Sequence, residues 1–225
     1  MLNSQTTLAQ RLLPQTGILR QSYVRNGFLV LAGTMLMALC AQISIPLPFT
    51  PVPITMQTFG VLIIGALFGP RLGAITMVVY LLEGLAGLPV FAQGRNAWAP
   101  SSIGVPVIIG PTAGYLFSYP IAAALVGALA NRGWDRNVMS AVPAMLLGNL
   151  VILGCGFVWL AAANYLVGGA VSLWALAQLA VIPFLAGDAF KIVLAALALP
   201  GGWALLNSIK KEREYPSFSP GRDDS

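Results

Sequence analysis

Val151-Ile152-Leu153-Gly154-Cys155-Gly156-Phe157-Val158-Trp159-Leu160 runs without one charged or amide side chain. It lies within a longer stretch, from Arg136 to Asp188, that carries no charge. Two further uncharged stretches lie between Arg25 and Arg71 and between Arg95 and Arg132. Each is long enough for one or two spans of about 20 residues, the length that crosses a hydrocarbon core roughly 30 Å thick. A β-barrel would alternate apolar and polar residues in segments of about 10. Blocks such as Val61–Leu67 and Val151–Leu160 do not alternate, so the spans are expected to be helical, with their backbone groups paired internally.

The composition agrees. The 225 residues include 12 Lys+Arg and 7 Asp+Glu, and only 8% are charged, against about 25% in an ordinary soluble domain. Hydrophobic residues make up 57%, and the mean hydropathy is +0.81. Such a chain has too little polar surface to coat a water-soluble globule. The net charge of +5 does not indicate a nucleic-acid partner, because the basic residues flank apolar spans singly or in pairs.

Six transmembrane helices are expected, at Gly27–Ile45, Ile54–Gly69, Leu72–Leu88, Pro111–Ala130, Val138–Val167 and Phe184–Leu206, giving an all-α integral membrane protein. Leu173–Ile182 is apolar but short, and Pro183 cuts it from the last span, so it reads as a helix at the interface or packed on the bundle. Residues 1–23 are expected to form a cytoplasmic lead-in, 24–209 the membrane domain and 210–225 a mobile cytoplasmic tail. With both termini in the cytoplasm, Arg11, Arg20, Arg25, Arg71, Arg132, Arg136, Lys210, Lys211, Arg213 and Arg222 all lie inside, and Arg95 lies outside. That asymmetry follows the positive-inside rule and implies a multi-pass protein of the cell membrane.

Few side chains are equipped for chemistry. The chain has no His, which removes the commonest general base and metal ligand. No Gly-Lys-Ser/Thr phosphate loop occurs, so ATP hydrolysis would need another chain. Cys40 and Cys155 fall within spans and read as small apolar residues. Neither an enzyme nor a cofactor protein is expected. The informative pair is Asp188 and Lys191, at i and i+3 on one helix face. Ionisable groups inside a span cost about 2.5–3.5 kcal/mol each on insertion scales and mark functional sites by default. They form either a mutual salt bridge or a ligand site in which Lys191 meets an anionic group and Asp188 accepts N–H donors. Glu83 is either an interfacial residue or a partner of Arg95 or Lys191. Asn149 and Asn164 read as hydrogen-bonders between helices. Two connections on the outer side frame this pair: the proline-rich Pro46–Ile54, expected to be stiff, and the polar Pro89–Gly110, expected to close over a ligand.

The stretch Ile45-Pro46-Leu47-Pro48-Phe49-Thr50-Pro51-Val52-Pro53-Ile54-Thr55-Met56-Gln57-Thr58-Phe59-Gly60 resembles the BioY family, the biotin-binding S components of energy-coupling-factor (ECF) vitamin transporters. The likeness continues through Gly65–Ala74, Gly87–Ala92, Gly110–Leu116 and Pro183–Lys191, covering most of residues 30–200. It implies a six-helix S-component bundle that captures biotin from outside and docks with an ECF transmembrane coupling subunit and ABC-type ATPases in other chains. Asp188 and Lys191 match the Asp and Lys that contact the vitamin in that family. Arg95, Asn96, Gln57, Thr112 and Tyr115 are carried over as further ligand-binding candidates, although the loop after Phe91 departs from the family's commoner Gly-rich form. S components present an Ala-x-x-x-Ala face on the first helix. Here the corresponding residues are Thr34 to Ala38 with Gly33 and Ala41 nearby, so a small-residue surface is expected to survive. The alternative reading is a self-sufficient transporter or facilitator for biotin or another small carboxylate. A homo-oligomer is compatible with either.

The topology is checked by cysteine labelling at sites introduced near Asn137 and Trp98. The charge asymmetry predicts that they react from opposite sides of the membrane. Labelling from the same side would contradict it.

Overall fold

The computed structural model describes residues 22–214. The expected lead-in with Arg11 and Arg20, apart from its last two residues, and the expected tail beyond Glu214 lie outside the described residues. Helix α1 runs Ser22–Gln42. A two-residue antiparallel ladder follows, β1 (Ser44–Ile45) on β2 (Ile54–Thr55), and then α2 (Gln57–Leu85), α3 (Ala113–Asn131), α4 (Val138–Leu166), α5 (Leu173–Ala180) and α6 (Ile182–Glu214). Single 3-10 turns at Ala92–Gly94 and Val107–Ile109 punctuate the long connection before α3.

The expectation of six separate spanning helices is corrected. Among the described residues, five helices are long and apolar enough to cross a membrane. The expected second and third spans are joined in α2, which is folded back on itself. Gly69 breaks it with φ 81°, ψ 176°, and Pro70 starts the second arm. In a straight helix, Gln57 and Tyr80 would stand about 34 Å apart at 1.5 Å per residue. Instead the Gln57 amide donates to the Tyr80 hydroxyl at 2.9 Å. A left-handed φ followed by proline, which begins a helix without needing an N–H partner, explains the reversal at this dipeptide.

Glycine lets this hairpin pack against α3. A Cβ on Gly65 would lie 2.6 Å from the Ala123 carbonyl oxygen, and one on Gly127 would run into the Gly69–Pro70 peptide. The core therefore centres on the hairpin and α3. Val61, Ile64, Met77 and Tyr80 pack with Ala122 and Ala123, and Ile152 of α4 and Phe184 of α6 close over them. Towards the other end, Leu62, Ala66, Val126, Met145 and Ile192 form a second cluster. Outward-facing positions such as Ile121, Leu150, Val158 and Phe190 are at once large, apolar and exposed, the pattern of a bundle solvated by lipid.

α1 lies on the hairpin. Gly33, Thr34, Met37 and Ala41 recur at helical spacing and are buried. A Cβ on Gly33 would meet Thr76 and Phe68 of α2 at 2.6 and 2.8 Å. Most of the small residues expected to offer a partner surface thus face α2, while Leu31, Met35 and Leu39 face outward. The expected break before the last span is present. α5 is capped by Ser172, whose hydroxyl accepts from Ala175 N–H at 3.2 Å, and Val181 interrupts the helix just before Pro183.

Between α3 and α4, Asp135 is only 2% exposed and accepts a 2.6 Å hydrogen bond from the Trp203 indole of α6. The Arg136 guanidinium lies 5.1 Å from that ring. Burial raises the Asp135 carboxyl above its ordinary value of 3.8, and the indole bond pulls the other way. A raised folded-state value means that this group favours folding below its ordinary range and loses that contribution as pH rises. Trp203→Phe removes a hydrogen bond to a carboxylate, worth about 1.5–3 kcal/mol. The variant is expected to melt below the parent at pH 7, with the gap narrowing as the carboxyl protonates. A gap independent of pH would contradict this role.

Candidate functional site

The α2 hairpin, α4 and α6 place three polar elements at one depth in an apolar bundle. Asp188 and Lys191, on α6, are 2% and 5% exposed. One turn of helix brings the Lys191 ammonium to 3.0 Å from Asp188 Oδ1. The same ammonium donates to Thr58 Oγ1 of α2 at 3.0 Å, and Thr58 donates to Asp188 Oδ1 at 3.4 Å. From α4, the Asn149 amide donates to Asp188 Oδ2 at 3.1 Å. A charge buried this deeply is tolerated when it is paired and its remaining lone pairs are met by donors. The charges are paired, and most of the carboxylate's lone pairs are met. Some hydrogen-bonding capacity is left over: an ammonium has three N–H bonds, two of them used, and each carboxylate oxygen can accept twice.

This cluster forms the floor of a cavity at the end of the bundle that carries the two long connections. Tyr115, Tyr119, Leu153 and Phe184 make its inner wall. The Tyr115 hydroxyl is taken up by the Ala180 carbonyl at 2.6 Å, which ties α3 to the end of α5. Thr50 of the proline-rich connection reaches the neighbouring Leu179 carbonyl at 2.7 Å. The cavity is closed above by that connection and by the polar one, which meet where Ser102 donates to the Pro51 carbonyl at 2.7 Å.

The root of the polar connection is anchored. The Tyr80 hydroxyl donates to the Val90 carbonyl at 2.8 Å, and Gln42 donates to the Phe91 carbonyl at 3.3 Å. Phe91 is 2% exposed, packs edge-on against Tyr80 with ring centroids 5.4 Å apart, and fills the notch left by Gly84. From this root, Ala92, Gln93 and Arg95 reach the cavity. The Asp188–Lys191 bridge is the sole ion pair among the described residues, so Arg95 has no acidic partner there.

Of the candidates read from the sequence, Asp188, Lys191, Gln57, Thr112, Tyr115 and Arg95 all line this one cavity. Asn96 does not. Its amide donates to the Gly87 carbonyl at 3.0 Å, and its oxygen accepts from Trp98 and Ala99 N–H groups at 3.0 and 2.8 Å. It holds the shape of the loop, as a short amide at a turn commonly does. Glu83 forms no ion pair with Arg95 or Lys191 among the described residues. Asn149 does join two helices, as expected, and its partner is the site carboxylate. Thr58 was not singled out by the sequence. Its contacts lie 130 and 133 positions away, and no periodicity links residues at that separation.

Comparison with known proteins gives a consistent result. Residues 9–208 match the BioY family. The chain is 39% identical over 121 residues to the probable biotin transporter BioY of Pyrococcus horikoshii, a match covering 54% of this chain and 65% of that one. It is 35% identical over 182 residues to the biotin transporter BioY of Rhodobacter capsulatus, covering 77% and 90% of the two chains. The fold resembles the crystal structure of the S-component for biotin from an ECF-type ABC transporter, with TM-score 0.66 and 23% identity, covering 87% of this chain and 95% of that one.

The buried pair makes a stability prediction. Lys191→Met alone leaves Asp188 as an uncompensated charge, which typically costs about 3–5 kcal/mol. Combining it with Asp188→Asn is expected to restore most of the lost melting temperature in detergent. Additive losses in the double variant would show that the two charges do not compensate each other.

Proposed function

This chain belongs to the BioY family, and from that membership we propose that it is the biotin-capturing subunit of an ECF-type uptake system. The observation that carries the reading is the charge layout of the cavity. Its floor is a neutralised pair with hydrogen-bonding capacity to spare, and its upper wall holds Arg95, a cation without an acidic partner among the described residues. A ligand suited to it has a neutral polar head and a single anionic group some distance away.

Biotin has that form. Its ureido group presents a carbonyl beside two N–H donors, its thioether ring is apolar, and its valerate chain ends in a carboxylate. The ureido carbonyl accepts the third Lys191 N–H, and a ureido N–H donates to Asp188. The ring lies against Tyr119, Leu153 and Phe184, and the carboxylate meets Arg95. An internally paired Lys191 thus moves the anion contact from the floor to the wall above it. Thr112 flanks the head. Gln57 and Tyr115 shape the wall, since each has a polar group already bonded within the protein. A mostly apolar pocket with a few fixed polar groups is the usual form of a small-molecule site.

In this reading the cavity faces the external medium, both termini face the cytoplasm, and the chain performs no chemistry on its ligand. ATP hydrolysis takes place on ABC-type ATPases in other chains, reached through a coupling membrane subunit. Purified protein is expected to bind biotin at equilibrium without nucleotide. Its affinity for biotin's uncharged primary amide should be about ten- to hundredfold weaker, the effect of losing a hydrogen-bonded charge pair. Equal affinity for acid and amide would remove Arg95 from the site, and absence of biotin binding would overturn the reading.

A further inference from the structure

Gln93 has φ 62°, and it is the single non-glycine residue with positive φ among those described; the other such positions are glycines. The left-handed region is unfavourable for a residue with a Cβ, and glycine is the default occupant. The fold enforces the conformation from both sides. Phe91 N–H donates to the Arg95 carbonyl at 2.8 Å, closing a tight turn around Gln93. The Tyr80 and Gln42 bonds and the buried Phe91 ring hold the turn's first residue in place. A turn so constrained would be easier to form with glycine at its apex, yet the chain carries a long amide there.

That amide is exposed to solvent. Gln93 lines the cavity beside Arg95 and forms no side-chain hydrogen bond among the described residues. Strained backbone persists where the surrounding structure over-determines it, and it concentrates at ligand-contacting turns. We propose that Gln93 is a specificity-determining ligand contact: its amide N–H donates to the same ligand carboxylate that Arg95 neutralises, so the turn is a two-point clamp for the acid end. The proposal rests on the biotin reading above and extends it to an exposed residue of the covering loop that lines the cavity. A guanidinium alone attracts any anion. An amide donor carried beside it on a constrained turn favours a planar carboxylate with a second acceptor oxygen in reach.

The test is Gln93→Gly in the full chain. Glycine suits the backbone, so the variant is expected to fold and to melt at or above the parent temperature. Its affinity for biotin should fall about tenfold or more, since the lost hydrogen bond is to a charged group. Affinity for the uncharged biotin amide should be nearly the same in variant and parent. Gln93→Glu, which places a negative charge beside the ligand acid, should weaken biotin binding further than glycine does. A Gln93→Gly protein that binds biotin as tightly as the parent would overturn the clamp while leaving the biotin reading intact. An equal loss for acid and amide would also overturn it, because the effect would then come from loop geometry. A parent that binds no biotin would fail the underlying reading, and the clamp with it.

Discussion

Lys191 and Asp188 stand 3.0 Å apart in a bundle whose other interior side chains are largely apolar. Two ionised groups at that depth survive only when they neutralise each other and their remaining hydrogen-bonding capacity finds partners. Asn149 must therefore come from α4 and Thr58 from the α2 hairpin. This requirement fixes how α2, α4 and α6 meet. It also explains why a cavity forms beside the pair. Full closure by apolar side chains would leave the third ammonium N–H without a partner, whereas a polar ligand supplies one.

The convergence depends on close backbone approach elsewhere. Gly65 and Gly127 bring the hairpin and α3 together more tightly than any side chain would allow, as expected where helices pack in lipid without a hydrophobic force between them. That contact sets the position of Thr58 at one end of the first hairpin arm and of Tyr80 in the second. Tyr80 then carries the arrangement upward through its hydroxyl to Val90, so the floor of the cavity and the root of its covering loop are built on one element.

Much of this was legible in the residues. Uncharged apolar stretches located the spans, because a bilayer tolerates little else, and the cost of intramembrane charge singled out Asp188 and Lys191. Pro183 marked the start of the last helix correctly. The hairpin was harder to see. Gly69-Pro70 reads as a boundary between two spans, and the backbone does break there; the dipeptide alone does not show that the two arms fold back on each other. Asn96 lies off the cavity and bonds within its own loop: an amide in a loop can serve a ligand or close a turn, and composition does not distinguish the two. The small residues of α1 were open to the same ambiguity, since glycine and alanine permit close approach on whichever side a helix is packed. Thr58 was hidden because pairing across 130 positions leaves no trace in a one-dimensional pattern. Gln93 stood out only when its backbone conformation was seen.

The central claim is that the buried ion pair is the floor of a ligand site as well as a means of holding three helices together. The most direct measurement is the equilibrium biotin affinity of the Asp188→Asn, Lys191→Met double variant, in protein shown by its melting curve to be folded. The account predicts a folded protein whose biotin binding is lost or reduced by well over tenfold, because each residue meets a different demand of the ureido head. A folded double variant that binds biotin as tightly as the parent would contradict it.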